Sequence, residues 1–378
     1  MIDKEKLFAW CEAHKAEQLA LLKELAAIPA PSHHEEKRVE FIKAWLEKNG
    51  AKNVTVDAAL NVLLPFGDCS KPCTVYAAHT DVVFPDTTPL PVREEGDTLH
   101  APGIGDDTAN VVALMMIAKY LFEHGCAPKE PVLFVFNSCE EGLGNLKGTR
   151  QLFADRPGLI KEFISFDGLY EKVVDRAVGS ERWRITVTTC GGHSYGAFGN
   201  PNAIAYLAKL IGKLDVQPVP KVEGRKTTFN FGTISGGTSV NTIAQSAEML
   251  YEYRSDEKAC LDQMRAQLNA ALDECRCDKA DYAVECVGER PCGGNVDPAA
   301  EETLLNRCQD AVEAVTGTRP GRRSSSTDAN IPLSLGVPAT TFGLYIGQGA
   351  HTREEWLTTS TIYTGLKIGM LTVLPHFE

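Results

Sequence analysis

Residues 131–138, PVLFVFNS, form an unbroken apolar run rich in β-branched and aromatic side chains. A run of this length with no polar alternation is predicted to be a strand buried on both faces, as in the middle of a parallel or mixed sheet. FISFDG (163–168) reads the same way, while CTVYAAHTDVVF (73–84), a short apolar run bounded by Gly, Pro and Asp, and VPATTFGL (337–344) are predicted as further strands. VTVDAALNVLLPFG (54–67) supplies a further strand. Helical spacing fills the intervals. Residues 3–50 are predicted as two helices parted by Pro29 and Pro31, and a helix is predicted over about 108–124, closed by Gly125. Helices over about 300–315 and 360–374 follow the same periodicity. Strands alternating with helices predict an α/β sandwich.

Near Val178 the pattern changes. ERWRITVTTCGGHS, TTFNFGTISGG, EMLYEYRS and DYAVECVGER alternate in polarity, with helices at about 202–214 and 260–275 between them. Strand-helix-strand-strand-helix-strand is the order of a ferredoxin-like α+β domain. It would interrupt the first domain, giving an α/β body over 1–178 and 293–378 with an insert over 179–292. At roughly 150 residues per domain, two to three domains suit a chain of 378 residues.

Thirty-eight basic against fifty acidic residues leave a net charge of −12, a poor surface for gathering phosphates, so nucleic acid is not expected as a partner. The longest apolar stretch is VVALMMIA (111–118), too short for the ~20 residues of a membrane span. The N-terminus is charged from Asp3 onward and lacks the apolar stretch of an export signal. A cytoplasmic protein is expected. The twelve cysteines include no CxxC pair, and a chain of this length builds a core without staples, so free thiols are expected rather than disulfides or a zinc-cysteine site.

Five segments place histidine or acid at predicted strand ends or in the loop before a helix: His79 and Asp81, Asp106 and Asp107, Glu140 and Glu141, Asp167, and His351. In open α/β sheets ligands bind beyond the carboxyl ends of the strands. Taken singly, each is ordinary; Asp106 and Asp107 before a helix would by default be caps. Together they form an imidazole-carboxylate set suited to Zn²⁺, or to Mn²⁺ or Co²⁺, at a hydrolytic centre. Asp81 lies two residues beyond His79 on the same strand face, where its carboxylate can accept the ring N–H and orient the imidazole.

These motifs resemble those of the dinuclear zinc metallopeptidase family of bacterial tripeptidases, carnosinases, carboxypeptidase G, aminoacylases and succinyl-diaminopimelate desuccinylases. AAHTDVVF, GIGDDTAN, NSCEEG, SSSTDAN and GAHTREEW match its signatures in order, and GGHSYGAFGNPNAI matches that of its lid. The second signature departs from the family's usual Lys-Gly, having Thr108-Ala109-Asn110 after the two acids.

The resemblance implies a mixed-sheet zinc-exopeptidase catalytic domain with an inserted lid that pairs a homodimer. It implies two divalent metal ions bridged by Asp106, with His79 and Asp167 completing one and Glu141 and His351 the other. Glu140 would be the general base and Asp81 the residue that orients His79. His193 of the lid would polarise the scissile carbonyl in the partner subunit's site, and Asn241 and Arg254 would bind substrate. The expected activity is hydrolysis of di- and tripeptides by an aminopeptidase. Asp167 agrees with this, since it resembles the tripeptidase and dipeptidase branches, which carry Asp there, rather than the carboxypeptidase and deacylase branches, which carry Glu. The alternatives are an N-acyl-amino-acid deacylase with the same dinuclear site, and a catalytically silent metal- or peptide-binding module.

Overall fold

The computed structural model describes residues 3–378, apart from the side chain of Leu143. They divide into two compact units, one running to Ala177 and resuming at Gly294, the other Val178–Gly293.

The first unit is built on a mixed eight-stranded sheet. Strand Cys73–His79 lies between Val132–Asn137 and Ile160–Phe166, parallel to both, and Ala339–Phe342 runs parallel on the far side of Ile160–Phe166. Every residue of Cys73–His79, Val132–Asn137 and Ala339–Phe342 is buried, which is why they read as continuous apolar runs. Val62–Phe66 adds antiparallel to Val132–Asn137, and Lys172–Ala177 and Gly321–Ser325 close the other side. Helix Asn110–Glu123 packs against Lys15–Ala26, Glu36–Lys48 and Thr359–Val373, and ten of its residues are buried. The VVALMMIA run is therefore a core helix wrapped by other helices. Among the described residues no helix is long and apolar enough to cross a membrane.

Three local readings differ from expectation. The first helices are three, Lys4–Ala13, Lys15–Ala26 and Glu36–Lys48. The extra break falls at His14, whose Nδ1 lies 2.8 Å from the carbonyl oxygen of Trp10 and whose ring stacks on that indole. Apolar periodicity runs through the break and hides it. Residues 54–67 are two short strands, Thr55–Val56 and Val62–Phe66, because Asp57 Oδ1 accepts the amides of Ala59 and Asn61 and folds DAALN into a turn. A small four-stranded sheet of Arg93–Glu95, Thr98–His100, Gly347–Gln348 and Trp356–Thr358 was not anticipated; its strands are two or three residues long, too short for alternation to register.

The second unit is an antiparallel sheet in the order Thr227–Gly236, Ser246–Ser255, Gly179–Thr188, Asp281–Arg290. Helices Ala203–Asp215 and Lys258–Cys275 pack on the two middle strands. The connectivity is ferredoxin-like. Alternate residues of Ser246–Ser255 are buried, as the alternating sequence requires. The twelve cysteines stand as free thiols.

Candidate metal centre

Three neighbouring parallel strands deliver side chains to one edge of the large sheet. His79 ends the central strand, Glu140 and Glu141 follow the end of Val132–Asn137, and Asp167 follows Ile160–Phe166. Asp106 stands in the turn before helix Asn110–Glu123, and His351 in the loop between the short strands Gly347–Gln348 and Trp356–Thr358, with a left-handed φ of 66°. Asp167 is drawn against the next strand by its amide, which donates to Phe342 O at 3.1 Å. Gly343 permits that approach, since a Cβ there would lie 1.4 Å from the carbonyl oxygen of Gly168.

The structure brings the five predicted metal ligands into two overlapping sets. His79, Asp106, Asp107 and Asp167 each offer a ligand atom within 4.8 Å of the others, and so do Asp106, Glu141 and His351. Asp106 is common to both: Oδ1 is 3.2 Å from His79 Nε2 and Oδ2 is 3.2 Å from His351 Nε2. Asp107 is close but already engaged. Its Oδ2 accepts the His79 amide at 2.9 Å and its Oδ1 the Asn110 side chain at 2.5 Å. Glu140 and Glu141 form a third set with His79, and of the two only Glu141 also joins Asp106 and His351. Both follow Cys139 (φ 55°) in a loop rather than on a strand end, so strand alternation is not what separates them.

Absent a cation, this grouping is electrostatically expensive. Burial, reinforced by the charge of Asp106, pushes the Asp167 carboxyl well above its usual range. Burial pushes Glu141 up to about 7. His351 is pushed up to about 11 by the carboxylates of Asp106 and Glu141, each 3.2 Å from its Nε2. At His79 burial opposes the charge, but Asp107, Asp106 and Asp81 together outweigh it and raise its pKa. Glu141 Oε1 lies 3.2 Å from His351 Nε2 without hydrogen-bond geometry, leaving a buried carboxylate oxygen with no donor. Unpaired buried ions cost several kcal/mol each. Three carboxylates and two imidazoles fit two divalent cations, which would remove that cost.

Asp81 does more than was read from its spacing. His79 Nδ1 lies 3.4 Å from its Oδ1 and 3.2 Å from its carbonyl oxygen. The same carboxylate accepts the amides of Glu140 and Glu141 at 2.9 and 3.0 Å and the Ser32 hydroxyl at 2.7 Å. It thus ties the His79 strand to the glutamate loop. Thr108 and Asn110, where the sequence departs from the usual signature, take up hydrogen bonds, Thr108 within its own loop and Asn110 across to a distant segment. Thr108 Oγ1 donates to Gly103 O at 2.5 Å, and Asn110 Oδ1 accepts the Leu344 amide at 2.7 Å.

Several supporting residues went unread. Arg38, fully buried, donates to Thr80 O and Thr108 Oγ1 at 3.0 and 3.1 Å. Glu35 accepts the Cys139 amide at 3.0 Å, and Asp328 accepts from Asn137 at 2.6 Å and from Thr149 at 2.5 Å. Glu355 accepts three amides of the Asp106 loop. The only signal for Asp328 was its place in SSSTDAN; charged residues in helical or acidic stretches otherwise read as solvated.

In the second unit, His193 is exposed and Nδ1 accepts the amides of Tyr195 and Gly196 at 3.3 and 3.2 Å. Asn241 is exposed, its carbonyl oxygen accepting the Ser194 amide at 3.0 Å. Arg254 makes a two-pronged contact, 3.1 Å for each bond, with Glu252 of its own strand.

Residues 75–374 match the family model described as Peptidase family M20/M25/M40. The chain belongs to this family. It is an enzyme of the peptidase and amide-hydrolase kind. Succinyl-diaminopimelate desuccinylase of Methylorubrum extorquens is 26% identical over 311 residues, covering 75% of this chain and 77% of the relative. Among solved structures, the aminopeptidase PepT of Bacillus cereus has a TM-score of 0.74 at 18% identity, covering 95% of this chain and 98% of its own. A dinuclear metal-binding peptidase of Bacillus subtilis from the M20 family has a TM-score of 0.66 at 17% identity, covering 97% and 99%. These likenesses show a shared fold.

Proposed function

We propose that this chain is a two-metal exopeptidase that removes the N-terminal residue from di- and tripeptides. The observation that carries the reading is the sharing of Asp106 between two ligand sets, with Glu140 beside them. Asp106 would bridge the ions, His79 and Asp167 would complete one, and Glu141 and His351 the other; Zn²⁺ suits these donors best, with Mn²⁺ or Co²⁺ possible. Divalent cations bound there acidify water and polarise the carbonyl under attack. Glu140 takes a proton from the attacking water and returns it to the departing amine. Asp81 holds His79 and the glutamate loop in register. The aminopeptidase preference rests on Asp167, an aspartate as in the tripeptidase and dipeptidase branches of the family rather than the glutamate of the carboxypeptidase and deacylase branches.

A second reading is an N-acyl-amino-acid deacylase using the same groups. The desuccinylase relative favours it. A panel of di- and tripeptides assayed beside N-acetyl and N-succinyl amino acids separates the two. A protein inert on both panels with metals bound would instead be a silent binding module, which the intact Glu140 and ligand set argue against.

Elemental analysis should find about two divalent ions per chain, and chelation should abolish activity. Binding should weaken on acidification. The metal takes ionised Glu141, whose carboxyl stands at about 7, and deprotonated His351, which stands at about 11. Below those values protons compete for the same atoms; Glu141 alone makes a factor of about 10 between pH 8 and pH 6. Titration against a chromogenic chelator at both pH values measures this, and pH-independent affinity would contradict it.

We also propose that two copies pair through the second unit and that His193 acts in the partner's site. Thr227–Gly236 is an outer strand, and exposed apolar side chains lie on or near this unit's loops and edge: Phe198 (91%), Tyr195 (89%) and Ile234 (60%). An open edge of this kind is normally covered. Arg254 and Asn241 would hold a substrate carboxylate, Arg254 by exchanging its partner Glu252. Mixing His193→Ala with Glu140→Gln subunits should restore part of the activity, because one site of each heterodimer then has both groups. If subunits exchange and the mixture stays inactive, His193 does not act in trans.

A further inference from the structure

We propose that Glu355 is a positioning residue for the metal centre, its buried carboxylate fastening the Gly103–Asp106 loop and thereby setting where the Asp106 carboxylate stands. The inference rests on the dinuclear reading above. Glu354 and Glu355 look alike in sequence, yet Glu354 is exposed and Glu355 is 2% exposed. Strand Trp356–Thr358 pairs antiparallel with Thr98–His100, Trp356 opposite His100. The next backbone contact is Ala101 N to Glu355 O at 3.2 Å. There the chain leaves the small sheet for the Asp106 loop, and the following amides turn onto the Glu355 side chain. Oε2 accepts Gly103 N at 2.7 Å, and Oε1 accepts Gly105 N and Asp106 N, each at 2.9 Å.

Three amides on one carboxylate, the last belonging to the proposed bridging ligand, define the loop more tightly than its own sequence does. Gly103 sits at φ 70°, where a Cβ would meet Val82 Cγ1 at 2.4 Å, and a Cβ on Gly105 would meet the Tyr345 ring at 2.4 Å. The loop is thus threaded between Val82 and Tyr345 with its amides facing Glu355. No Lys or Arg forms an ion pair with Glu355 among the described residues, so the amides are its direct partners. An apolar residue would fill the space but leave these three N–H groups without an acceptor; the carboxylate both satisfies them and sets their direction. Glu355 also lies four residues beyond His351, so a single segment supplies one ligand and orients another.

The test is Zn²⁺ affinity of the metal-free protein, read by competition with a chromogenic chelator, with thermal melting of the metal-free form measured in parallel. Glu355→Gln keeps an acceptor for Gly105 and Asp106 but turns an NH₂ toward Gly103, and should weaken binding about 10-fold; Glu355→Ala should approach about 100-fold, the range seen when residues that orient metal ligands are removed. Glu354→Gln should change nothing. A purely structural role lowers the melting temperature of the metal-free form and leaves affinity unchanged, so wild-type affinity in Glu355→Gln overturns the proposal. Should Glu355→Ala not fold, the glutamine variant decides. Wild-type protein that takes up no pair of ions would instead overturn the dinuclear reading itself, and this inference with it.

Discussion

Glu140→Gln should lower kcat by at least ~10²-fold, the ordinary contribution of a positioned general base, while metal content stays at the wild-type level. The reason lies in which groups each glutamate meets. Glu141 offers a ligand atom within 4.8 Å of those of Asp106 and His351, so removing its charge should release an ion. Glu140 lies with His79 and Glu141 but outside the set formed with His351, which suits a base that addresses the attacking water. The Asp81 carboxylate fixes both backbones through their amides, and an amide side chain at 140 leaves those bonds intact. Glutamine is nearly the same shape, so the loop should hold. Metal analysis of the purified variant decides the assignment. Loss of an ion from Glu140→Gln, with retention in Glu141→Gln, would mean that the neighbours had been assigned the wrong way round.

The alternation of buried strands and helices was legible because burial on both faces leaves an unmistakable apolar run, as in Val132–Asn137. The insert was legible because its strands bury one face and therefore alternate, as in Ser246–Ser255. Candidate metal ligands were legible where a histidine or acid interrupts an apolar strand end, as at His79 and Asp167. What stayed hidden was polar support whose partners are distant in the chain. Glu355 meets residues about 250 positions away, and Asp328 meets Asn137 191 positions away. No local pattern records such a pairing, and a charged residue beside others of its kind reads as solvated until its burial is known. Arg38 on helix Glu36–Lys48 is the sharpest instance: it has the look of a surface cation and is 1% exposed. Asp81 was half legible, since its spacing from His79 is local and its bonds to the glutamate loop are not.

Capping the N-terminus of a good di- or tripeptide substrate with an acetyl group should reduce kcat/KM by up to ~10⁴-fold, because a site built to pair a polar group leaves its own partners unsatisfied when that group is missing. An aminopeptidase must recognise a free α-amino group close to the reacting carbonyl. A deacylase has the opposite need, since its substrate carries an amide where the peptide carries the amine. Arg254 and Asn241 do not discriminate, because either substrate class ends in a carboxylate they could bind. The desuccinylase relative pulls toward the acylated substrate, and the aspartate at position 167 pulls toward the free peptide. The comparison is therefore run on matched pairs: the free peptide, its N-acetyl form and its N-succinyl form, each at substrate concentrations well below KM. Faster cleavage of either acylated form would replace the aminopeptidase reading with the deacylase one. It would leave the metal ligands and Glu140 in the same roles, since both reactions expel an amine from a carbonyl attacked by water.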